Sequence, residues 1–349
     1  MKSITVTTPG KVILLGEHAV VYGKPALLAT INKYCNIKLT PVATKDITIN
    51  AKNLHKSITV SPEIIFAKTK SAREKWQQYY VTNELSILKS ITADAMDYPI
   101  IAIGETLLYF KKKLPTGFVL TIDSGIPMGS GLGSSSALAV GVVTAVARLL
   151  AVTIDKQILN DIAFLIEQKK HGTPSGADTA AVSFGGLLWF RKETSDLKFI
   201  QPLPFALPER IAQNFVLIDS GQPVESTGEM VSNVRNLYKE KPELFENFLQ
   251  QQENITRELL TAIKNRQEEV LMQLIQKGEG NLEKIEVVSP STKLLIHSIE
   301  KAGGVAKICG AGGKKKGSGI VLAYHPEKKQ LETIANSKKL VNYTVQLGL

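Results

Sequence analysis

Residues 127–137 read PMGSGLGSSSA, and they are the strongest signal in the sequence. It follows an apolar run at residues 118–122 that predicts a strand, and it leads into residues 134–152, which are apolar on nearly all sides and predict a buried helix. Glycines let a backbone approach a bulky anion, and the serines stand where unpaired N–H groups and the helix dipole favour phosphate. The alternative is an ordinary helix capped by serine after a flexible loop.

The spacing within this glycine loop (residues 127–137) excludes the commonest phosphate loops. No Gly-Lys-Ser/Thr follows at the Walker A spacing, the glycines alternate instead of following the Rossmann pattern, and protein-kinase signatures are absent. A serine hydroxyl at the start of the helix can also reach a Mg2+ ion bound to phosphate. The loop therefore predicts a phosphate site of another type.

Composition limits the class of protein. The chain has 349 residues, of which 44% are hydrophobic and 21% charged, which predicts two globular domains or one large body. The longest strongly apolar run, residues 137–146, is shorter than the ~18–20 residues of a membrane span. Cys35 and Cys309 are too few for a disulfide framework. These features exclude collagen, coiled coils, secreted mini-proteins and membrane proteins, and they favour a reduced, cytoplasmic compartment.

The charge balance favours anionic partners. Lysine and arginine number 42 against 32 aspartate and glutamate, a net charge of +10. The basic clusters are scattered, and aromatic residues make up only 6% and are not interleaved with them. A small ligand that carries phosphate is therefore favoured, and no nucleic-acid or membrane partner is expected.

Strands and helices are mixed without strict βαβ alternation, which predicts an α+β fold. The polar residues 45–80 predict a hairpin or an excursion over the surface, and Pro99 is expected to divide residues 83–112 into two helices. Further strands are predicted at residues 3–8, 26–42, around 180–190, 215–219 and 320–324, and further helices at 155–170, from about 225 to 280, and at 291–301.

A second motif, the lysine segment (residues 9–18), reads PGKVILLGEH. Lys11 precedes a buried apolar strand, and Glu17 and His18 follow it, so three polar groups stand at the ends of one strand. A surface lysine, a turn and a structural histidine are the simpler alternative.

A third motif, the carboxylate segment (residues 167–178), reads EQKKHGTPSGAD. Glu167 lies near the end of a predicted helix, and Asp178 follows a Pro/Gly turn that can fold it back beside the glycine loop. Two carboxylates at one anion site predict that one binds metal and the other accepts a proton or orients an alcohol. The alternative is a solvated helix end with a structural turn aspartate.

In this order, the motifs resemble those of the GHMP kinases, the superfamily of galactokinase, homoserine kinase, mevalonate kinase and phosphomevalonate kinase. The three superfamily motifs match residues 9–18, 127–137 and 307–319. We call residues 307–319, KICGAGGKKKGSG, the second glycine segment.

Within the superfamily, the chain resembles the mevalonate kinases. The resemblance rests on residues 16–26 (GEHAVVYGKPA), 171–178 (HGTPSGAD) and 219–227 (DSGQPVEST). It spans most of the chain, although residues 45–115 add little to it.

The resemblance implies a two-domain fold. Residues 1–195 would form an N-terminal domain like the second domain of ribosomal protein S5, and residues 196–349 a ferredoxin-like C-terminal domain. It implies transfer of phosphate from ATP to the 5-hydroxyl of mevalonate, a small-molecule substrate, with Mg2+ as cofactor. A homodimer is the family expectation.

The resemblance also implies roles for individual residues. Ser135 and Glu167 match the Mg2+ ligands, Asp178 matches the catalytic base, and Lys11 matches the lysine that stabilises the ionising hydroxyl. The residues expected to bind ATP are Pro127, Gly129, Ser130, Gly131, Leu132, Gly133, Ser134, Ser135 and Ser136. Those expected to bind substrate are Lys11, Glu17, His18, Asp178 and Thr227.

Two departures from the family pattern leave alternatives open. Lys314–Lys316 stand where further glycines are usual, and Gln168 stands where a basic residue is commoner. The lysines either add charge near a phosphate or lie on a solvated loop. The alternatives are another GHMP enzyme acting on a mevalonate derivative (a phosphomevalonate kinase, a mevalonate 3-kinase or a decarboxylating relative) and a non-catalytic metabolite sensor.

Overall fold

The structure, a computed structural model, describes residues 2–194 and 197–349. The boundary predicted between residues 195 and 196 lies outside the described residues and stays a prediction. The chain forms two compact units, which share two long paired strands, β1 (Ile4–Leu15) and β2 (Pro25–Val42). The described residues of the first unit are 2–10, 33–127 and 133–184, and those of the second are 11–32, 128–132, 185–194 and 197–349.

The first unit contains a sheet in the order β4-β3-β5-β2. Its further strands are β3 (Ile47–Ala51), β4 (Lys56–Val60) and β5 (Gly117–Ser124). β3 and β4 form the predicted hairpin, while β3 runs parallel to β5 with Ile47 opposite Phe118. The inward positions of β3 and β5 carry apolar side chains, which bury one face of the sheet.

The helices of the first unit pack against this sheet and against one another. One contact fixes the helix that follows the glycine loop: the Thr8 hydroxyl donates to the Ala137 carbonyl at 2.7 Å. A Cβ on Gly141 would lie 2.7 Å from the Ile37 side chain, so the small residue permits the close approach. The helices are α1 (Pro62–Thr82), α2 (Leu85–Ile91), α3 (Asp97–Phe110), α4 (Ser134–Leu149), α5 (Lys156–His171) and α6 (Ala177–Phe184).

Three local predictions differ from the structure. Residues 62–82 form α1, which the sequence concealed because only a narrow stripe of its residues is buried. Pro99 lies in the first turn of α3, where its missing N–H costs nothing, so the helix break comes before it. The strand expected around residues 180–190 is instead the end of α6 followed by a strand from Leu187, because alternating small residues also fit a short buried helix.

The strands of the second unit are β6 (Leu187–Lys192), β7 (Lys198–Pro202), β8 (Phe215–Asp219), β9 (Val305–Ile308), β10 (Ile320–Tyr324) and β11 (Asn342–Val345). Four of them form an antiparallel sheet in the order β11-β8-β10-β9. Outside that sheet, the first five residues of β2 pair with β6, which pairs in turn with β7. The helices are α7 (Glu209–Ala212), α8 (Thr227–Glu240), α9 (Pro242–Lys264), α10 (Glu268–Lys284), α11 (Pro290–Lys301) and α12 (Lys328–Ser337).

The core of the second unit lies between the sheet and its helices. Val216 and Ile218 of β8 belong to one buried cluster with Phe245 of α9 and Ile296 of α11. Burial of such side chains contributes about 1.5–3 kcal/mol each. Both units mix helices with sheets, so the α+β prediction is confirmed. Within residues 2–194 and 197–349, no helix is long and apolar enough to cross a membrane.

Candidate active site

The glycine loop connects β5 to α4. Gly129, Gly131 and Gly133 have φ values of 70°, 73° and 75°, a left-handed conformation that residues with side chains rarely adopt. The backbone needs glycine at these positions to turn into the helix. Of the other loop residues, Pro127 and Ser130 are half-buried.

Two other motifs touch this loop within the second unit. The Lys11 N–H donates to the Leu132 carbonyl at 2.9 Å, which joins the lysine segment to the loop. A Cβ on Gly131 would lie 3.4 Å from the Cys309 carbonyl oxygen, so the second glycine segment also approaches closely. All three motifs that carry the superfamily resemblance are therefore brought together.

The start of α4 has the features of an anion site. Gly133 caps the helix, Ser134 and Ser135 are half-buried, and Ser136 is buried. The first turn of α4 itself contains no acidic residue. The first-turn N–H groups and the helix dipole favour phosphate, as the sequence predicted. The assignment of this site to ATP remains a prediction.

Glu167 lies under the start of α4, held by hydroxyl groups. Its side chain is 4% exposed, and its Oε2 accepts hydrogen bonds from Ser135 Oγ at 3.2 Å and Ser136 Oγ at 3.0 Å. Its Oε1 accepts a hydrogen bond from the Tyr98 hydroxyl. Burial, followed by the Glu167 charge, raises the pKa of Tyr98 well above its ordinary value, so this hydroxyl stays a donor. The orientation of the carboxylate is fixed by three donors.

This cluster fits a hard cation. Ser135 Oγ and Glu167 Oε2 are oxygen ligands of the kind that Mg2+ takes, and they lie 3.2 Å apart. Within the described ranges, no three or more His, Cys, Asp and Glu side chains gather so as to hold a metal by themselves. A cation bound here would therefore complete its coordination with water or with phosphate oxygens of a nucleotide.

Asp178 lies in the first turn of α6, half-buried, after a tight turn. Gly172 and Gly176 of that turn have φ values of 72° and 89°, and Ser175 Oγ accepts a hydrogen bond from the Ala177 N–H at 3.2 Å. α6 packs against α4 and α5, which carry the serines and Glu167. The helix that carries Asp178 thus packs, within the first unit, against the helices that carry Glu167 and the serines.

Glu17 is buried in the second unit beside Lys307, a residue that the sequence analysis did not single out. The Lys307 ammonium contacts the Glu17 carboxylate and donates to the carbonyls of Ile13 at 3.1 Å and Ile308 at 2.7 Å. Burial raises the pKa of Glu17, and the lysine charge partly opposes that rise. Burial alone would lower the pKa of Lys307, but the Glu17 charge raises it. Substrate binding by Glu17 stays a prediction.

His18 is buried and links the lysine segment to the second glycine segment. Its Nε2 lies 3.1 Å from the Ala311 carbonyl and donates to it. Burial lowers the pKa of His18 to about 4, so the imidazole is neutral near pH 7. Its φ of 58° is strained for a residue with a side chain. Lys11, on the same segment, is also buried.

Thr227 is exposed at the first position of α8. Ser226 caps this helix together with Glu229 in a capping box. The preceding residues pair with the second glycine segment: the Gly319 N–H donates to the Gly221 carbonyl at 3.0 Å, and Ser220 Oγ donates to the Gly319 carbonyl at 2.7 Å. The chain entering α8 is thus held against the segment that carries the lysines.

Lys314, Lys315 and Lys316 of the second glycine segment are exposed, whereas Lys307 is buried. The Lys314 ammonium pairs with Glu286, and the backbone N–H of Lys314 donates to the Glu225 carboxylate at 3.3 Å. Lys314 therefore has acidic partners within the second unit. Lys315 and Lys316 add two further positive charges to the same exposed turn.

Sequence reasoning missed Tyr98, Lys307 and His171 as members of these clusters. His171 Nε2 lies 3.3 Å from Ser135 Oγ and 3.7 Å from Glu167 Oε2. Its position four residues after Glu167 places both on one helix face, a signal that the sequence did contain. Tyr98 and Lys307 are remote from their partners and carry no such signal.

The chain is similar to known kinases over nearly its full length. Residues 101–186 match the family model of the GHMP kinases N terminal domain. The mevalonate kinase of Pyrococcus furiosus is 30% identical, over 94% of this chain and 90% of that one.

Solved structures share the fold. The Methanococcus jannaschii mevalonate kinase superposes with a TM-score of 0.80 at 24% identity, covering 99% of this chain and 98% of that one. The L. major mevalonate kinase, solved in complex with R-mevalonate, gives a TM-score of 0.71 at 24% identity, over 98% and 96%. The predicted two-domain GHMP kinase fold is therefore confirmed, and the chain belongs to the mevalonate kinase family.

Proposed function

We propose that this chain transfers the γ-phosphoryl group of ATP to the 5-hydroxyl of mevalonate, giving 5-phosphomevalonate and ADP. The observation that carries the proposal is the contact of the glycine loop with both Lys11 and the second glycine segment, in a chain that belongs to the mevalonate kinase family. The L. major relative was solved with R-mevalonate, which supports the same acceptor here.

The nucleotide is proposed to bind through residues 127–136. The left-handed glycines expose backbone N–H groups, and the start of α4 adds its own unpaired N–H groups. These groups attract the negatively charged phosphates of the nucleotide.

Mg2+ is proposed to bind at Ser135 and Glu167. The carboxylate is held by Tyr98 and Ser136 as well as by Ser135, so its orientation does not depend on the ion. A bound Mg2+ would neutralise charge on the phosphate oxygens.

Asp178 and Lys11 are proposed to act on the acceptor. The 5-hydroxyl oxygen forms a bond to the γ-phosphorus, the bond from that phosphorus to the β,γ-bridging oxygen breaks, and Asp178 takes the hydroxyl proton. Lys11 stabilises the negative charge that develops on the hydroxyl oxygen. Phosphoryl transfer asks mainly for such positioning and electrostatic stabilisation.

Glu17, His18 and Thr227 are proposed on the substrate side through the family resemblance. The contacts of Glu17 with Lys307 and of His18 with Ala311 indicate how the two would act. Glu17 and His18 are buried and would hold the lysine segment in place. Thr227 is exposed, so its hydroxyl could contact the substrate directly.

The first experiment measures ADP release with Mg2+-ATP and mevalonate, 5-phosphomevalonate or no acceptor, with the product identified by mass and phosphorus NMR. Turnover of mevalonate to its 5-phosphate is expected. Turnover with 5-phosphomevalonate alone would show that the acceptor is the phosphorylated compound, and Lys315 and Lys316 would then be the first residues to mutate. ATP binding without turnover of either acceptor would indicate a metabolite sensor.

Asp178→Asn tests the proposed base. The amide keeps the shape of the side chain but cannot take the proton, so kcat is expected to fall about 10²-fold or more. Asp161→Asn, on the exposed face of α5, is the matched control and is expected to leave kcat unchanged. An Asp178→Asn enzyme with nearly normal kcat would reject the base assignment.

A further inference from the structure

His171 is the exposed member of the Glu167 cluster. Its side chain is 47% exposed, whereas that of Glu167 is 4% exposed. It is the last residue of α5 and lies one turn after Glu167, so the helix directs both side chains toward the start of α4.

Three potential ligand atoms meet at nearly equal distances. Ser135 Oγ lies 3.2 Å from Glu167 Oε2 and 3.3 Å from His171 Nε2, and Glu167 Oε2 lies 3.7 Å from His171 Nε2. Ligands about 2.1 Å from one ion are separated by roughly 3.0 Å in octahedral and 3.4 Å in tetrahedral coordination. Small side-chain adjustments bring the three atoms to that spacing.

The imidazole is not needed to hold the carboxylate. Tyr98 and Ser136 each donate to Glu167 in addition to Ser135. Both oxygens of the carboxylate therefore have donors without His171, whose side chain is partly exposed to solvent.

We propose that His171 Nε2 is a third protein ligand at the cation site of Ser135 and Glu167, and that it raises the affinity of this site for Co2+ and Zn2+ relative to Mg2+. The proposal rests on the proposed function, which places the cation there. Imidazole suits the later first-row metals, whereas Mg2+ prefers oxygen ligands. The chain would then use several divalent cations.

The test compares His171→Gln with a matched control, His297→Gln. His297 is also an exposed histidine beside a glutamate, with its Nε2 3.3 Å from Glu283 Oε1. Co2+ is added to the full-length protein with ADP, and proton NMR is used to find the ring N–H of a coordinated histidine, which a bound paramagnetic Co2+ shifts far from the other signals. The affinities for Co2+ and Mg2+ are measured by competition.

Wild type and His297→Gln are expected to show the shifted, exchangeable signal, and His171→Gln is expected to lose it. The Co2+-to-Mg2+ affinity ratio is expected to fall about tenfold in His171→Gln and to stay unchanged in His297→Gln. The proposal is overturned if wild type binds no Co2+, if the signal is absent, or if the ratio does not change. These readouts need no turnover, so failure of the proposed kinase reaction would appear separately as a lack of mevalonate-dependent ADP release.

Discussion

Each unit contains a deeply buried carboxylate, and the two differ in their partners. Measured over the whole residue, Glu167 in the first unit is 3% exposed and Glu17 in the second is 1% exposed. Neutral hydroxyls donate to Glu167, whereas the Lys307 ammonium contacts Glu17. Burying a charge without compensation is costly. Glu17 has its cation built into the chain, while Glu167 is the residue for which we propose an external cation.

The comparison separates two kinds of carboxylate that look alike in sequence. Both glutamates lie in motifs that carry the family resemblance, and both were expected to bind a ligand. Their partners predict different consequences of mutation: mutations at Glu17 and Lys307 should lower the free energy of unfolding, and mutations at Glu167 should lower affinity for a metal or a nucleotide.

The largest effect is expected from Lys307→Met. It leaves Glu17 buried without its cation, which should lower the free energy of unfolding by about 3–5 kcal/mol in urea titrations. Lys314→Met removes an exposed lysine from Glu286 and should cost only about 0–1 kcal/mol. The double variant Lys307→Met/Glu17→Gln should recover most of the loss. A double variant no more stable than Lys307→Met would contradict the pairing argument.

Glu167→Gln should lower kcat/KM for Mg2+-ATP about 10²-fold, because the amide loses the charge that faces the cation. Steady-state kinetics at varied Mg2+ concentration measure the loss of activity. Thermal unfolding measures whether the substitution also changes stability. Glu283→Gln is the matched control, since Glu283 also lies beside a histidine, and its kinetics should match wild type. A Glu167→Gln protein that keeps full activity would remove Glu167 from the cation site.

Tyr98→Phe tests the hydroxyl that orients Glu167. Removing this donor leaves Glu167 Oε1 without that hydrogen bond and should cost about 1–3 kcal/mol of stability. Tyr109 lies on the same helix but is 40% exposed, so Tyr109→Phe should change stability by less than about 0.5 kcal/mol. Equal effects of the two substitutions would show that the bond to Glu167 is unimportant.

The smallest effect is the change in the free energy of unfolding over one pH unit, which we expect from Glu279 of α10. Burial raises its pKa to about 8, from 4.5, and its Oε2 accepts a hydrogen bond from the Ile308 N–H at 3.0 Å. Between these values the unfolded chain releases a proton that the folded chain keeps. The contribution of Glu279 to stability is therefore fully present below pH 4.5 and falls as pH rises toward 8, by at most about 1.4 kcal/mol per pH unit.

Glu279→Gln should flatten this part of the pH profile. The remaining charged groups that act on the site, Glu17, Lys307 and Glu283, are unchanged in the variant. Chemical unfolding at several pH values between 5 and 8 measures the slope. A variant with the same slope as wild type would assign the pH dependence to another group.

Much of the fold followed from local patterns. The turn into α4 needs glycines and serines in one short stretch, and the hairpin of β3 and β4 shows in two short strand-like runs. α1 could not be found in this way, since few of its residues are buried and its sequence is polar. Local pattern reveals an element only where one face of it is clearly apolar.

The family resemblance, the glycine loop, and the one-turn spacing of Glu167 and His171 can be read from the sequence, because each depends on neighbours along the chain. Which carboxylate has a cation as its partner could be learned only from the folded chain. Lys307 reaches Glu17 across 290 residues, and Tyr98 reaches Glu167 across 69. Removing charged and polar groups from water is costly, and the partners offset this cost only once the core has packed and brought them together.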